Sequence, residues 1–240
     1  MFDMHCHVDL IDPMNRFCAT AAMLDISILA MTTTPRAYHA ETNMLRNYQS
    51  VYVALGLHPQ LVSERKQELA IFDRYVTSSR FIGEVGLDFS KRFYSSKEDQ
   101  VIAFEHIIQA CVHSKTISIH SVFSDKQVLD ILAKNSTTEH NRCILHWYSG
   151  SLKQLDRALE MGCYFSVNEQ MLRSANGAKI IHRIPVERMV LESDAPFVGG
   201  INTAELLRGS LLRAQEGISR IKEVKANDIL ANTSRILLGK

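Results

Sequence analysis

Glu-Asp-Gln-Val-Ile-Ala-Phe-Glu-His-Ile-Ile-Gln-Ala-Cys-Val-His-Ser, residues 98–114, decides the fold class. Val101, Phe104, Ile108, Cys111 and Val112 recur at helical spacing and form one apolar stripe. The stripe lies between two short apolar runs, 81–87 and 116–122, whose length and β-branched content suit strands. A helix between two strands implies parallel pairing through a right-handed crossover. Working outward, further apolar runs occur at 2–8, 25–32, 51–57, 142–148, 163–168 and 188–193, at intervals too long for hairpins. Helical stripes follow in 124–133 (Val128, Leu129, Ile131, Leu132, with Ser124 as N-cap) and in 151–161 (Leu152, Leu155, Ala158, Leu159, after Ser151). Residues 202–216 and the tail 219–238 also read as helices. Eight such units in 240 residues predict an α/β chain folded as a (β/α)8 TIM barrel, one domain over residues 1–240. An open doubly wound sheet is the structural alternative. No GxGxxG fingerprint or P-loop supports a dinucleotide or nucleotide-triphosphate site.

Composition narrows the function. Formal net charge is +1, so no global field advertises a polyanionic partner. A local cluster of cations can supply the missing positive charge. The five cysteines are scattered and form no CxxC pair, which points to buried thiols in a reducing compartment. No apolar run reaches the length of a membrane span, and the N-terminus lacks the pattern of a signal peptide. The expectation is a cytoplasmic, monomeric protein with no membrane association.

In a parallel barrel the chemistry sits at the C-terminal ends of the strands. Six of the eight runs close on polar groups there. The first carries His5 and His7, two apart and therefore on one face of a strand. The others end in Gly56-Leu57-His58-Pro59, Gly83-Glu84-Val85-Gly86-Leu87-Asp88, Ile119-His120-Ser121, His146-Trp147-Tyr148-Ser149-Gly150 and Glu192-Ser193-Asp194-Ala195-Pro196. Burying so many ionisable groups at one end is costly without a cation. His5, His7, His120, His146, Glu84 and Asp194 offer four nitrogens and two carboxylates. That exceeds one tetrahedral ion and suits two divalent ions bridged by a carboxylate and a hydroxide. Mixed imidazole and carboxylate donors admit Mg²⁺, Mn²⁺ or Zn²⁺.

These segments, with Asp9 and Asn232, run nearly the whole chain in one order, and that order resembles the TatD-like metal-dependent deoxyribonucleases of the amidohydrolase superfamily. The resemblance implies that His5, His7 and Asp194 hold one metal, His120 and His146 the other, and that Glu84 bridges them. It implies Asp194 as the base toward water and His58 as a contact to the scissile phosphate or leaving group. The alternative for His58 is a hydrogen bond that fixes its own turn. Cys6 points away from the two histidines by parity, and Glu192 lies a pleat deeper than Asp194.

The implied reaction is hydrolysis of DNA phosphodiester bonds by a two-metal-activated hydroxide, favouring 3′ ends or single strands. Compact relatives also occur in bacterial defence gene clusters, so an antiviral defence or repair setting belongs to the same expectation. Two departures stand out. Val122 replaces the arginine usual two residues after the strand-5 histidine, and the loop after Asp194 is short and lacks basic residues. Arg92 and Tyr94, beside Lys91 and Phe93, offer a substitute cation and stacking surface, and Tyr148 a further ring at the mouth. The rival readings are a small-molecule amidohydrolase-type hydrolase and a partner-dependent subunit of a multi-protein system with weak intrinsic nuclease activity.

Overall fold

A computed structural model describes residues 1–239. The eight expected runs form eight strands: β1 Phe2–Cys6, β2 Ser27–Met31, β3 Val51–Ala54, β4 Phe81–Asp88, β5 Thr116–Val122, β6 Arg142–Leu145, β7 Tyr164–Val167 and β8 Met189–Leu191. The main helices between and after them are α1 Met14–Met23, α2 Pro35–Leu45, α3 Val62–Arg65, α4 Leu69–Val76, α5 Lys97–Ala110, α6 Asp125–Lys134, α7 Thr137–His140, α8 Leu152–Glu160, α9 Ala175–Arg183, α10 Ala204–Lys222 and α11 Asn227–Leu238. Every strand pairing given by register is parallel, as crossover helices demand. The fold class is that of a (β/α)8 barrel.

The chain divides into two compact units. The first comprises Met1–Met31, Glu41–Val53 and Phe165–Lys240, and the second Thr32–Ala40 and Ala54–Tyr164.

In the first unit β1 pairs with β2, with Phe2 opposite Ser27 and Asp3 opposite Ile28. The β7 residues Phe165, Ser166 and Val167 pair with Met189, Val190 and Leu191 of β8. Two main-chain bonds join the ends of β1 and β8: Asp194 N–H donates to His5 O at 2.9 Å and His7 N–H to Ala195 O at 2.9 Å. All five residues of β1 are buried, so Cys6 is core, as its parity requires.

In the second unit β4 is buried along all eight residues, the mark of a strand covered on both faces. It pairs with β5 through Gly86–His120 and Asp88–Val122, and β5 pairs with β6. Two glycines let backbones close up here. A side-chain carbon at Gly56 would lie 2.1 Å from Thr32 O, and one at Gly86, where φ is +138°, would lie 2.1 Å from His120 O. The motif glycines thus set the spacing of the strands that carry His58, Glu84 and His120.

The helical stripes match with local differences. Val128, Leu129, Ile131 and Leu132 are all buried. Ser124 does not cap α6 with its side chain, and its hydroxyl donates instead to Leu87 O at 2.7 Å. Ser151 does cap α8, accepting from Gln154 N–H. In α5 the helix stops at Ala110, and the chain turns at Ser114, whose φ is +56°. Val112 is therefore exposed, and Ile107 takes its place on the buried face. No helix among the described residues is long and apolar enough to cross a membrane.

Candidate metal centre

In the second unit, three imidazoles converge on one carboxylate. His120 lies within β5, while His146 follows β6 and His58 follows β3, so each projects from the C-terminal part of its strand. Glu84 Oε1 is 2.6 Å from His120 Nδ1 and 2.9 Å from His146 Nε2, and Oε2 is 3.2 Å from His58 Nε2. Donor atoms of His58, Glu84 and His120 lie within 4.8 Å of one another. His58 also accepts the Gln60 N–H on Nδ1 at 3.2 Å, so it fixes its own turn while facing Glu84.

A supporting carboxylate stands behind this group. Asp88 Oδ2 is 3.2 Å from His120 Nε2 and accepts from the Gln60 side chain at 2.7 Å, while Oδ1 accepts from Ser90 N–H. Burial would raise the Asp88 pKa, but the bonds from His120, Ser90 and Gln60 outweigh it and hold the carboxyl well below its usual range. Burial pulls His120 the other way, yet its bonds to Asp88 and Glu84 leave its pKa raised. To offer a nitrogen to a cation, His120 must give up a proton, so cation affinity here rises with pH.

In the first unit, His5 Nε2 and His7 Nε2 are 3.3 Å apart, and each lies 3.7 Å from Asp194 Oδ1. Asp194 adopts φ +51°, a left-handed conformation that Asp tolerates better than most residues. Its placement comes from the main chain. Asp3, on β1, accepts the Ser193 hydroxyl at 2.5 Å and the backbone N–H groups of Ser193 (2.9 Å) and His5 (3.2 Å). Burial pushes the Asp3 carboxyl up to about 7 even though those bonds favour its charge. Glu192 is buried and accepts from the Ser166 hydroxyl and, at 2.9 Å, from Asn168. These bonds tie the residue after β8 to the end of β7.

Both clusters fit divalent cations by their donor chemistry. Each combines imidazole nitrogens with carboxylate oxygen, the mixture that Mn²⁺ and Zn²⁺ accept and that Mg²⁺ accepts through its oxygens.

The expected substrate contacts separate into two kinds. Tyr94 is 53% exposed and meets Phe89 edge-on at 6.2 Å. Lys97 Nζ sits 5.3 Å from the Tyr94 ring and 5.5 Å from Phe89, and Arg92 lies over Phe93 at 5.1 Å. Cations therefore lie on aromatic rings here, Arg92 in the loop and Lys97 at the start of α5. Tyr148 corrects the sequence expectation of a ring at the mouth. Its side chain is buried, and its hydroxyl donates to Ser151 O at 2.8 Å beside Asp125. Trp147 at φ +38° turns the chain, which takes Tyr148 inward to hold the start of α8. Asp88 and Gln60, which hold His120 and His58, were not singled out as part of the cluster. Only the Gly-Leu-Asp end of β4 hinted at Asp88.

Parallel strands with imidazoles and carboxylates at their C-terminal ends define a metal-dependent hydrolase of the barrel type. A family model described as TatD related DNase matches residues 2–237, and the chain belongs to that family. It is 24% identical over 216 residues to an uncharacterized metal-dependent hydrolase of Buchnera aphidicola, covering 84% of this chain and 80% of the relative. It is 25% identical over 190 residues to the 3′-5′ ssDNA/RNA exonuclease TatD of Klebsiella pneumoniae, covering 75% and 70%. The crystal structure of the TatD homolog YJJV from Escherichia coli superposes with a TM-score of 0.85 at 22% identity, covering 99% of this chain and 97% of that one.

Proposed function

We propose that residues 1–240 form one catalytic barrel that hydrolyses DNA phosphodiester bonds, acting on single strands or 3′ ends, with two divalent ions. The observation that carries this reading is the convergence of His58, His120 and His146 on the Glu84 carboxylate. Membership of the TatD related DNase family and the single-strand activity in the Klebsiella relative's name support the substrate class.

In this reading His5, His7 and Asp194 hold one ion, His120 and His146 the other, and Glu84 serves both. Bound divalent ions lower the pKa of water and neutralise charge on a phosphoryl oxygen. The protein's own part is positional. Asp194, with one oxygen facing the two imidazoles, accepts the proton that the attacking water loses as its oxygen bonds to phosphorus. His58 reaches the oxygen that leaves phosphorus, steadied by Gln60 through its other nitrogen. Asp88 holds the ring of His120.

The test is digestion of end-labelled single- and double-stranded DNA with Mg²⁺, Mn²⁺ or Zn²⁺, beside a Glu84→Ala control. Shortening of the single strand from its 3′ end, dependent on metal and on Glu84, is expected. Metal-dependent hydrolysis of amides or lactones with DNA untouched would move the chain to a small-molecule hydrolase.

A further inference from the structure

We infer that Phe197 is a base-stacking residue for the nucleotide that a single-stranded substrate places beside Asp194, an inference that rests on the nuclease reading. Phe197 belongs to no metal-ligand set and lies in the short loop after Asp194 that lacks basic residues.

The loop folds back on the candidate ligands. Phe197 N–H donates to Asp194 O at 2.8 Å, and Val198 N–H points at the same oxygen from 3.4 Å. Ala195 and Val198 on either side are buried, yet Phe197 is 62% exposed. Its ring meets the His7 ring at 5.3 Å with planes 80° apart. An isolated exposed aromatic is ordinary on a protein surface. An aromatic held against a candidate metal-ligand ring, with most of its surface left open, offers a base a fixed platform beside that ring.

Two arginines reach the same loop through Glu169. A side-chain carbon at Gly199 would lie 3.6 Å from Glu169 Oε1. That carboxylate anchors Arg213 Nε at 2.5 Å and an Arg173 guanidinium nitrogen at 3.3 Å, and both arginines are more than half exposed. An aromatic surface with guanidinium groups alongside is what a single-stranded nucleic acid uses, base on ring and phosphate near cation. An amide or lactone substrate has no use for that pairing. These arginines come from the segment after β7 and from α10, so the loss of basic residues from the loop itself is offset by other segments.

The experiment is a cycle of two changes measured together. Wild type and Phe197→Ala are assayed for cleavage and for binding by fluorescence anisotropy. The substrates are a single-stranded oligonucleotide and the same oligonucleotide with one abasic residue at its 3′ end. Wild type should prefer the intact oligonucleotide by about 10-fold, the size of one stacking contact, and Phe197→Ala should bring the ratio near one. Phe197→Trp should restore it. Metal content should match wild type in both variants. An unchanged ratio in Phe197→Ala, with cleavage intact, overturns the stacking role and leaves the nuclease reading standing. Equal losses on both substrates with lower metal content would make Phe197 a support for His7 only, which also overturns it. Phe197-dependent binding without cleavage by wild type keeps the platform and removes the nuclease. Neither binding nor cleavage removes both.

Discussion

At β1 and β8 the donors of His5, His7 and Asp194 stand 3.3–3.7 Å apart, and main-chain bonds set their positions. Asp3 and Ser193 tie the strand ends together, and Asp194 takes its conformation from the backbone. At β4, β5 and β6 the donors also lean on one another. Glu84 meets three imidazoles, and His120 is shared between Glu84 and Asp88. Main-chain bonds place donors in the second cluster too, from His58 N–H to Thr33 O at 2.9 Å, Glu84 N–H to Thr32 O at 3.1 Å and His146 N–H to Ile119 O at 3.1 Å, but there the rings also share one carboxylate. Removing a carboxylate shared by three rings disturbs all three, whereas removing one of the His5, His7 and Asp194 side chains leaves the main-chain bonds beside them in place. Single substitutions should therefore have unequal consequences in the two places.

The largest effect belongs to Glu84→Ala. It strips the common partner from three imidazoles, two of them buried, and leaves Asp88 holding only one of them. Metal content, read by elemental analysis, should fall together with the nuclease rate, which should drop by at least about 10⁴-fold. Full metal content in this variant would remove the role of Glu84 as the shared ligand and with it the contrast between the clusters.

Asp194→Asn should come next. The backbone bonds to His5, Phe197 and Val198 involve main-chain atoms and survive the change, and Asn accepts the φ of +51°. Much of the metal should remain, because an amide oxygen still coordinates, while the proton acceptor is lost. The rate should fall by about 10²–10⁴-fold, the range for a general base. Near wild-type turnover would rule out Asp194 as the base.

A smaller loss is expected for His58→Ala. Its Nε2 faces Glu84 and its Nδ1 accepts from Gln60, so it serves both the cluster and its own turn. If it contacts substrate, kcat should fall by about 10–100-fold with both metals bound. A lower melting temperature with kcat unchanged would assign it to the turn alone.

The sequence displayed the frame better than the contents. The eight apolar runs and the parity of His5 and His7 follow from period-two geometry, which depends only on neighbours in the chain. Ends of elements were less legible. Nothing local in 98–114 marks the stop at Ala110, because the turn at Ser114 depends on a bond to His140, 26 residues away. Tyr148 was misplaced for the same reason, since the residues that hold its hydroxyl inward, Asp125 and Ser151, include one from a different helix. The approach of Glu169, with Arg173 and Arg213, to the loop after Asp194 was not legible, because a loop, a strand end and a helix must fold before they meet. Glu41 was invisible as a problem, since a glutamate on a polar stretch of α2 reads as solvent-facing.

Glu41 gives the last and smallest expected effect on the site, and it sharpens the contrast through pH. Its side chain is 3% exposed, and neither carboxylate oxygen has a hydrogen-bond partner among the described residues. Burial, with a smaller contribution from Asp9, pushes its pKa up to about 9 from an ordinary 4.5. Between those values the unfolded chain has released a proton that the folded chain keeps, so stability falls as pH rises from 4.5 to 9. Below 4.5 both states are protonated and the penalty is absent. Asp88, in the second unit, has the opposite sign: its pKa is depressed, so it adds stability above 3.8 and loses it only in strong acid. Glu41→Gln keeps the shape of the protonated side chain and cannot ionise. Its melting temperature should coincide with wild type near pH 4.5 and exceed it at pH 8 by roughly 5 °C or more. Thermal melts of both proteins across that range measure the difference directly. A gap that does not grow with pH would mean that Glu41 ionises in the folded protein near its ordinary value, and that the strain of the first unit lies in Asp3 instead.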